Sequence, residues 1–275
     1  MTKLFKFFLY LSLASPLLVN KYLFFPFITG KVFFFRIAVE LALLSFAILF
    51  LWQNGYWTKI KAKVKHPIVI AVFIFASVFV LTSLTAVNSQ AAFWSNFERA
   101  EGGWQMIHYF LFFFLITVAF ESLGEWLMLI RFQTVVSFLV SLYGLAQFLG
   151  IKNSFIISGG QPSGTLGNAS YLAINIIFSL FFLGWLVYKE RWGSLKFLWM
   201  FMGIFQILML FIAKNRSTFF ALAIGLIVVI ALLALELHKK HKSRLSKKTL
   251  FLCYIATVSI ITIISATSIA IAFII

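Results

Sequence analysis

Long apolar runs dominate the chain and are broken by short polar segments. Charge-free runs at 67–97, 132–151, 217–235 and 249–275 reach or exceed the roughly 18 to 20 residues that a helix needs to cross about 30 Å of hydrocarbon. None of them alternates apolar and polar residues every second position, as a membrane barrel strand would. The pattern therefore predicts an all-α fold, a polytopic bundle of transmembrane helices.

The polar interruptions divide the chain into nine candidate membrane helices that together form one transmembrane domain, 1–275. The nine segments are 4–20, 32–52, 67–87, 105–121, 128–150, 169–188, 195–213, 217–237 and 249–275. The first could also be a signal peptide, with Lys3 and Lys6 as its charged start. Because Pro16 stands where a small-residue cleavage site would be needed, and apolar character resumes at 22–27, an uncleaved first helix is the favoured interpretation.

Composition supports the membrane class. Of the 275 residues, 63% are apolar and 19% aromatic, against about half apolar in ordinary globular domains. The one cysteine, Cys253, excludes a disulfide framework and a CxxC metal site.

The basic residues predict the orientation of the bundle. When the nine segments alternate across the membrane, one side receives 16 of the 23 lysines and arginines, in segments 1–6, 53–66, 121–131, 189–196 and 238–248. Short cytoplasmic loops retain positive charge, so this side and the N-terminus are predicted to be cytoplasmic. The basic runs are then anchors to anionic membrane lipids. No aromatic stacking platform accompanies them, so no nucleic-acid partner is expected.

Four polar segments fall on the opposite, outer face, and the first two contain charged pairs. Arg36 and Glu40 are one helical turn apart in FFFRIAVEL. They can form a structural ion pair, or Arg36 can serve a binding site. The segment FERAEGGW, 97–104, carries Arg99 and Glu101 before a glycine pair, either as part of a site or as a connection anchored by tryptophans.

The third segment is the turn SGGQPSGTLGNAS, in which Gly164, Gly167 and Asn168 lead into the next helix. Glycines let a backbone approach a ligand closely. The free N–H groups and partial positive charge of a helix N-terminus favour phosphate or carboxylate. The alternative is a re-entrant loop whose asparagine simply caps the helix.

The fourth segment is the short turn AKNRS, 213–217, with Lys214 and Arg216 at the membrane surface. These cations can hold a phosphate or act as snorkelling anchors. Together the four segments predict an anion site at the outer surface, suited to a lipid-linked phosphate or pyrophosphate.

Missing residue types narrow the chemistry. The sequence contains no aspartate, so a DxD metal site for a nucleotide sugar is excluded, and it has no P-loop or GxSxG element. His66, His238 and His241 fall on the cytoplasmic side and His108 in the fourth segment, so no histidine cluster has metal-ligand spacing. We expect neither a metal nor another cofactor.

Four stretches, in this order, resemble the O-antigen ligase and O-antigen polymerase family of bacterial membrane proteins. They are PFITGKVFFFRIAVEL (26–41), SLTAVNSQAAFWSNFERAEGG (83–103), GTLGNASYLA (164–173) and AKNRSTFFAL (213–222). The similarity covers nearly the whole chain, and the motifs are moderately specific in combination. It implies a multi-pass protein of the bacterial cytoplasmic (inner) membrane. Such a protein transfers a glycan from a polyprenyl-pyrophosphate-linked donor to an acceptor on the outer face, with no nucleotide sugar and no metal.

The resemblance also implies roles for residues. Arg99, the Gly164 to Asn168 turn and Arg216 match the family's arginines and its glycine-asparagine turn, whose implied role is to hold the pyrophosphate and neutralise charge on the leaving group. Family members continue through a long outer loop with a histidine proposed as the base. The resemblance thus implies that the chain is an N-terminal portion, and no catalytic base is identified. His108 is a weak substitute, and its alternative role is that of a core histidine.

Two other functions stay open. A transporter or flippase of a lipid-linked anion would need polar groups that continue through the bundle. The polar groups gather at one face instead, and the amides Gln147, Asn175 and Gln206 make no obvious pathway. A non-catalytic membrane scaffold is the third possibility.

Overall fold

The fold is built from α-helices. The computed structural model describes residues 1–53, 55–96, 100–151, 156–157 and 161–240, and within these ranges it contains helices and turns but no strand. The helices are α1 (Thr2–Leu13), α2 (Thr29–Trp52), α3 (Tyr56–Val64), α4 (Pro67–Leu84), α5 (Ser89–Trp94), α6 (Gly103–Ala119), α7 (Leu123–Phe148), α8 (Ala169–Lys189), α9 (Ser194–Ile212) and α10 (Arg216–Lys240), with 3-10 turns at Ser15–Leu17 and Gly164–Leu166. The predicted all-α bundle is confirmed.

Five of these helices, α2, α4, α7, α8 and α9, are each long and apolar enough to cross a membrane. Helix α6 and the Arg216–Leu232 part of α10 are shorter apolar helices. The chain is a multi-pass membrane protein, and the helices follow the predicted segments closely. The ninth predicted segment, 249–275, lies outside the described residues.

The first predicted segment, 4–20, is helical over a shorter length than expected. Helix α1 ends at Leu13, and a 3-10 turn over Ser15–Leu17 follows it. Pro16 lies inside this turn. Because proline has no N–H and disfavours the α conformation in the residue before it, the α-helix ends just ahead of the proline.

The chain divides into two compact units, Met1–Ile212 and Ala213–Ile275. The first unit holds α1 to α9. In the second unit, the described residues are the turn 213–215 and α10.

One end of the first unit, which we call the basic end, gathers the predicted cytoplasmic segments at the start of α1, in α3 and at the start of α7. Lys6 of α1 forms an ion pair with Glu125 in the first turn of α7. Lys63 of α3 donates hydrogen bonds of 3.1–3.2 Å to three carbonyls at the end of α6, those of Thr117, Val118 and Phe120. The last carbonyls of a helix have no partner within it, so a lysine there satisfies them and complements the helix dipole.

The opposite end of the first unit, which we call the cavity end, gathers the predicted outer segments at the start of α2, before α6 and before α8. Thr165 Oγ1 donates to the carbonyl of Pro16 at 2.6 Å, which joins the turn before α8 to the turn after α1. Arg36 of α2 donates to the carbonyl of Ala100, just before α6, at 2.9 Å. The alternating path agrees with the predicted segments, whereas the orientation of this path in the membrane stays a prediction.

Apolar clusters hold the first unit together, and two of them join helices as follows. The larger joins α1, α2, α3 and α6, and includes the fully buried Phe5, Leu9 and Leu115. The smaller joins α8 and α9 through Leu186 and Trp199, with side chains of α7 packed against it. Helix α4 is mostly exposed along its length, as expected of a helix that faces lipid.

The contacts of Lys63 lead to a first prediction. Burial lowers the pKa of Lys63, while the charges of Glu121 and Glu125 raise it. We expect Lys63→Met to lower the free energy of unfolding by about 1–3 kcal/mol, because it leaves polar carbonyls without their donor. Thermal unfolding of the purified protein in detergent measures the effect. Lys61→Met, at an exposed position of the same helix, is the control, and equal stability of the two variants would contradict the capping role.

Candidate functional site

Two adjoining cavities open at the cavity end of the first unit. Their volumes are about 360 and 280 Å³. Both are lined by residues from the loop before α2, from the segment before α6 and from the turn and first helical residues of α8, namely Phe27, Ile28, Glu101, Leu166 and Tyr171. Glu101, a predicted site residue, thus contributes to both cavities.

Sequence reasoning missed Lys31. It is the basic side chain among the described residues that line the larger cavity, and its Nζ donates a hydrogen bond to the carbonyl of Thr165. A signal was present, because Lys31 is the third residue of α2, where the helix dipole disfavours a positive charge. A cation at the wrong end of a helix, on the face that otherwise avoids cations, suggests a binding role.

Arg36 lies behind the wall of the larger cavity. Its Nε donates to Gln105 Oε1 at 2.7 Å and its Nη2 to the carbonyl of Ala100 at 2.9 Å. Gln105 and Tyr109, one turn apart on α6, both line the larger cavity. Arg36 therefore positions one cavity-lining side chain, that of Gln105.

The i, i+4 ion pair between Arg36 and Glu40 is replaced by contacts with α6. Arg36 binds Gln105, and Glu40 Oε1 lies 3.0 Å from Nε2 of His108. Spacing on one helix showed that the two charges could meet. The packing of α6 against α2 gave each of them a different partner.

The two glycines of the predicted turn serve close packing within the protein. Gly164 has φ +60°, and a Cβ there would lie 2.9 Å from the carbonyl oxygen of Val140. Gly167 has φ +74°, and a Cβ there would lie 2.6 Å from Cβ of Phe27. Both glycines adopt the left-handed conformation that other residues avoid. They bring the turn against α7 and the loop before α2, and so shape the cavity walls.

The same turn is held by a single glutamine of α7. Gln147 Oε1 accepts hydrogen bonds from the backbone N–H groups of Ser163 and Gly164 at 2.9 and 2.8 Å. Its Nε2 donates to the carbonyl of Ile157 at 2.8 Å. The glutamine thus binds Ile157 and the Ser163–Gly164 backbone, both of which precede α8.

Asn168 acts as the N-cap of α8. Its side-chain oxygen accepts from the backbone N–H of Ser170 at 2.7 Å, which is the usual geometry of an asparagine cap. Asn168 and Gly167 both line the smaller cavity. The capping and site interpretations of the sequence therefore apply to the same residue.

The larger cavity also contains an unsatisfied polar group. Gln133 lines this cavity, and its Oε1 is buried without a hydrogen-bond partner. Buried acceptors are nearly always paired in folded proteins. Gln133 is the eleventh residue of α7, so the cavity reaches well into the helical bundle, and a ligand with a donor group would complete its hydrogen bonding.

The remaining predicted residues are placed as follows. Arg99 lies outside the described residues. Lys214, with φ +50°, is in the turn that opens the second unit, and Arg216 is the first residue of α10. Asn215 between them accepts from the backbone N–H of Thr218 at 3.2 Å, a cap that fixes the start of α10. Among the described residues, no group of three or more His, Cys, Asp or Glu side chains could hold a metal ion.

Comparisons of the chain with protein families, with characterised proteins and with solved structures found no match. Assignment of a function therefore depends on the residues at the cavity end and on the sequence patterns that first indicated them.

Proposed function

We propose that this protein transfers a glycan from a polyprenyl-pyrophosphate-linked donor to an acceptor on the outer face of the bacterial cytoplasmic membrane, as O-antigen ligases and polymerases do. The observation that carries the proposal is the convergence at the cavity end. Glu101 and the turn from Gly164 to Asn168, predicted from distant parts of the sequence, adjoin two cavities, and the larger of these also contains Lys31. Arg36 supports the same wall.

The cavities combine the features that a lipid-linked pyrophosphate needs. Lys31 supplies a positive charge, and the N-terminus of α8 supplies a partial one, so both favour the anionic oxygens. Phe27 and Phe35 give the larger cavity apolar walls for a polyprenyl chain. Glu101 offers acceptor oxygens to hydroxyl groups of the donor glycan or of the acceptor.

The sequence resemblance gives roles to two further residues. Arg99 and Arg216, which match the family's arginines, are proposed to hold a pyrophosphate and to neutralise charge on the leaving group. His108 is not a suitable base for the acceptor. It is 1% exposed, and both of its ring nitrogens face protein oxygens.

One observation favours transport of a lipid-linked anion as a second function. Besides Gln133, polar side chains of α7, α8 and α9 meet inside the bundle, one helical turn nearer the cavity end. Asn175 Nδ2 and Gln206 Nε2 lie 2.9 and 3.4 Å from Ser137 Oγ, one helical turn from Gln133. Two of the three amides that made no obvious pathway in the sequence, Asn175 and Gln206, meet at this serine. Such a cluster also joins packed membrane helices, so transport is the second candidate.

Removal of the charge of Lys31 tests the proposed site directly. We expect Lys31→Met to weaken binding of a fluorescent polyprenyl pyrophosphate about 10- to 100-fold, because a hydrogen bond to a charged group contributes about 1.5–3 kcal/mol. The measurement is a titration of the protein in lipid nanodiscs. Lys21→Met is the control, since Lys21 is exposed on a loop at the same end. Equal affinity of the Lys31 and Lys21 variants would contradict the anion site.

An assay in proteoliposomes distinguishes the two candidate functions. Glycan transfer predicts that the polyprenyl pyrophosphate is released without its glycan on the side where the donor was added. Transport predicts that the intact lipid reaches the other leaflet. Binding without either outcome would instead support a scaffold that holds the lipid.

A further inference from the structure

A buried histidine and a glutamate join α2 to α6 at a point that lines neither cavity. His108 is 1% exposed. Its Nδ1 lies 2.8 Å from the carbonyl oxygen of Trp104, and its Nε2 lies 3.0 Å from Oε1 of Glu40. The Trp104 ring packs edge-on against the imidazole with the centroids 4.9 Å apart, so the ring is held in this position.

The two contacts require more hydrogen atoms than a neutral histidine carries. A backbone carbonyl can only accept, so Nδ1 must be the donor to Trp104. A neutral imidazole then has a lone pair on Nε2, and an ionised carboxylate offers lone pairs only. Two acceptors 3.0 Å apart repel each other, so neutral His108 beside ionised Glu40 does not fit the observed geometry.

We infer that Glu40 and His108 form a proton-binding site that holds one shared proton at neutral pH. The proton lies on Nε2, which makes an imidazolium–carboxylate pair, or on Oε1 of Glu40, which then donates to the neutral ring. Both forms have the same number of protons and the same net charge of zero. Both satisfy the two hydrogen bonds of the imidazole.

Other titratable side chains lie on the elements that carry the pair. Arg36 is one turn before Glu40 on α2, and Glu101 is just before α6. Tyr109 follows His108 on α6, and Lys31 lies at the start of α2. Helices α4 and α5, which pack on α6, carry no titratable side chain. The titratable side chains of α1 and α3 that the structure describes lie toward the basic end.

The position of Glu40 in the membrane is a further reason for the pair to hold a proton. Glu40 is the twelfth residue of the 24-residue helix α2, and its side chain is 55% exposed at the surface of the bundle. An ionised carboxylate without a donor is costly in hydrocarbon. Arg36 donates its hydrogen bonds to Gln105 and Ala100. The cost to Glu40 is therefore lowered by a protonated His108 that donates to it, or by a proton on Glu40 itself.

The test is a count of protons in the intact protein. Nitrogen-15 NMR of histidine-labelled protein in nanodiscs at pH 7 reports whether each ring nitrogen carries hydrogen, and His108→Gln identifies the His108 signals among the four histidines. Infrared spectroscopy reports a protonated carboxyl group. We expect either two protonated ring nitrogens, or one protonated nitrogen together with a carboxylic acid band that Glu40→Gln removes.

Glu40→Gln is the matched variant, because its amide N–H can donate to Nε2 and keep both hydrogen bonds with one proton fewer. We therefore expect a neutral His108 in this variant and an unchanged elution profile of the folded protein. A neutral His108 with no acid band in the unmodified protein would overturn the inference. A doubly protonated His108 in Glu40→Gln would overturn it as well, since the proton would then not depend on Glu40.

Discussion

Gly164→Ala is expected to lower the free energy of unfolding by about 2–5 kcal/mol and to weaken binding of polyprenyl pyrophosphate. An alanine at φ +60° costs about 1–2 kcal/mol, and overpacking of a filled site adds about 1–3 kcal/mol. The contact is with the backbone oxygen of Val140, 2.9 Å from the added Cβ, so a rotamer change cannot relieve it. The turn that carries Thr165 and Leu166 would have to move.

Gly150 provides a control that separates the two terms. It also has a left-handed conformation, with φ +65°, but a Cβ there meets nothing within 4 Å. Gly150→Ala therefore carries the conformational cost alone. Thermal unfolding in detergent and lipid titration in nanodiscs measure both variants. If Gly164→Ala is no less stable than Gly150→Ala, the close packing of the turn on α7 is not important for the fold.

Arg36→Met is expected to lower the free energy of unfolding by about 2–4 kcal/mol. It removes the donors to Gln105 Oε1 and to the carbonyl of Ala100, and Gln105 is only 1% exposed. A buried acceptor left without its charged donor carries the full cost of its lost solvation. The wall of the larger cavity, formed in part by Gln105 and Tyr109, would lose its support.

A double-mutant cycle isolates the Arg36–Gln105 contact from the general cost of losing an arginine. Arg36→Met and Gln105→Met are measured singly and together by thermal unfolding. We expect the double variant to be more stable than the sum of the single losses by about 1.5–3 kcal/mol, the range for a hydrogen bond to a charged group. Additivity within about 0.5 kcal/mol would show that the two side chains act independently.

Particular residues show how far sequence reasoning reaches at the candidate site. The turn at Gly164 to Asn168 and Glu101, which the sequence singled out as candidate site residues, adjoin the cavities, and their binding of an anion stays a prediction. The ion pair expected between Arg36 and Glu40 gave way to two contacts with α6, because spacing on one helix says nothing about partners on another. The glycines were expected to let the backbone approach a ligand closely. In the structure they let the turn pack closely against Val140 and Phe27 instead.

Lys31 and Gln133 were missed for a related reason. Each stands among other polar residues of a long apolar helix. The place of Lys31 at the start of α2 was a signal, but no local pattern shows which face of either helix borders a cavity. Lys31 donates a hydrogen bond to the carbonyl of Thr165, which is 134 positions away in the chain. Gln133 stands out because its Oε1 is buried without a hydrogen-bond partner, and only the packed structure can show this.

The sequence by itself determined the helical class, the approximate helix bounds, the alternating path and the separation of a basic end from an end with few cations. These properties depend on hydrocarbon thickness and on local charge, which act on each segment separately. Tertiary structure alone decided that Arg36 supports Gln105, that Glu40 binds His108 and that Lys31 enters a cavity. Those outcomes depend on which helix faces pack together, and this is a property of the whole bundle.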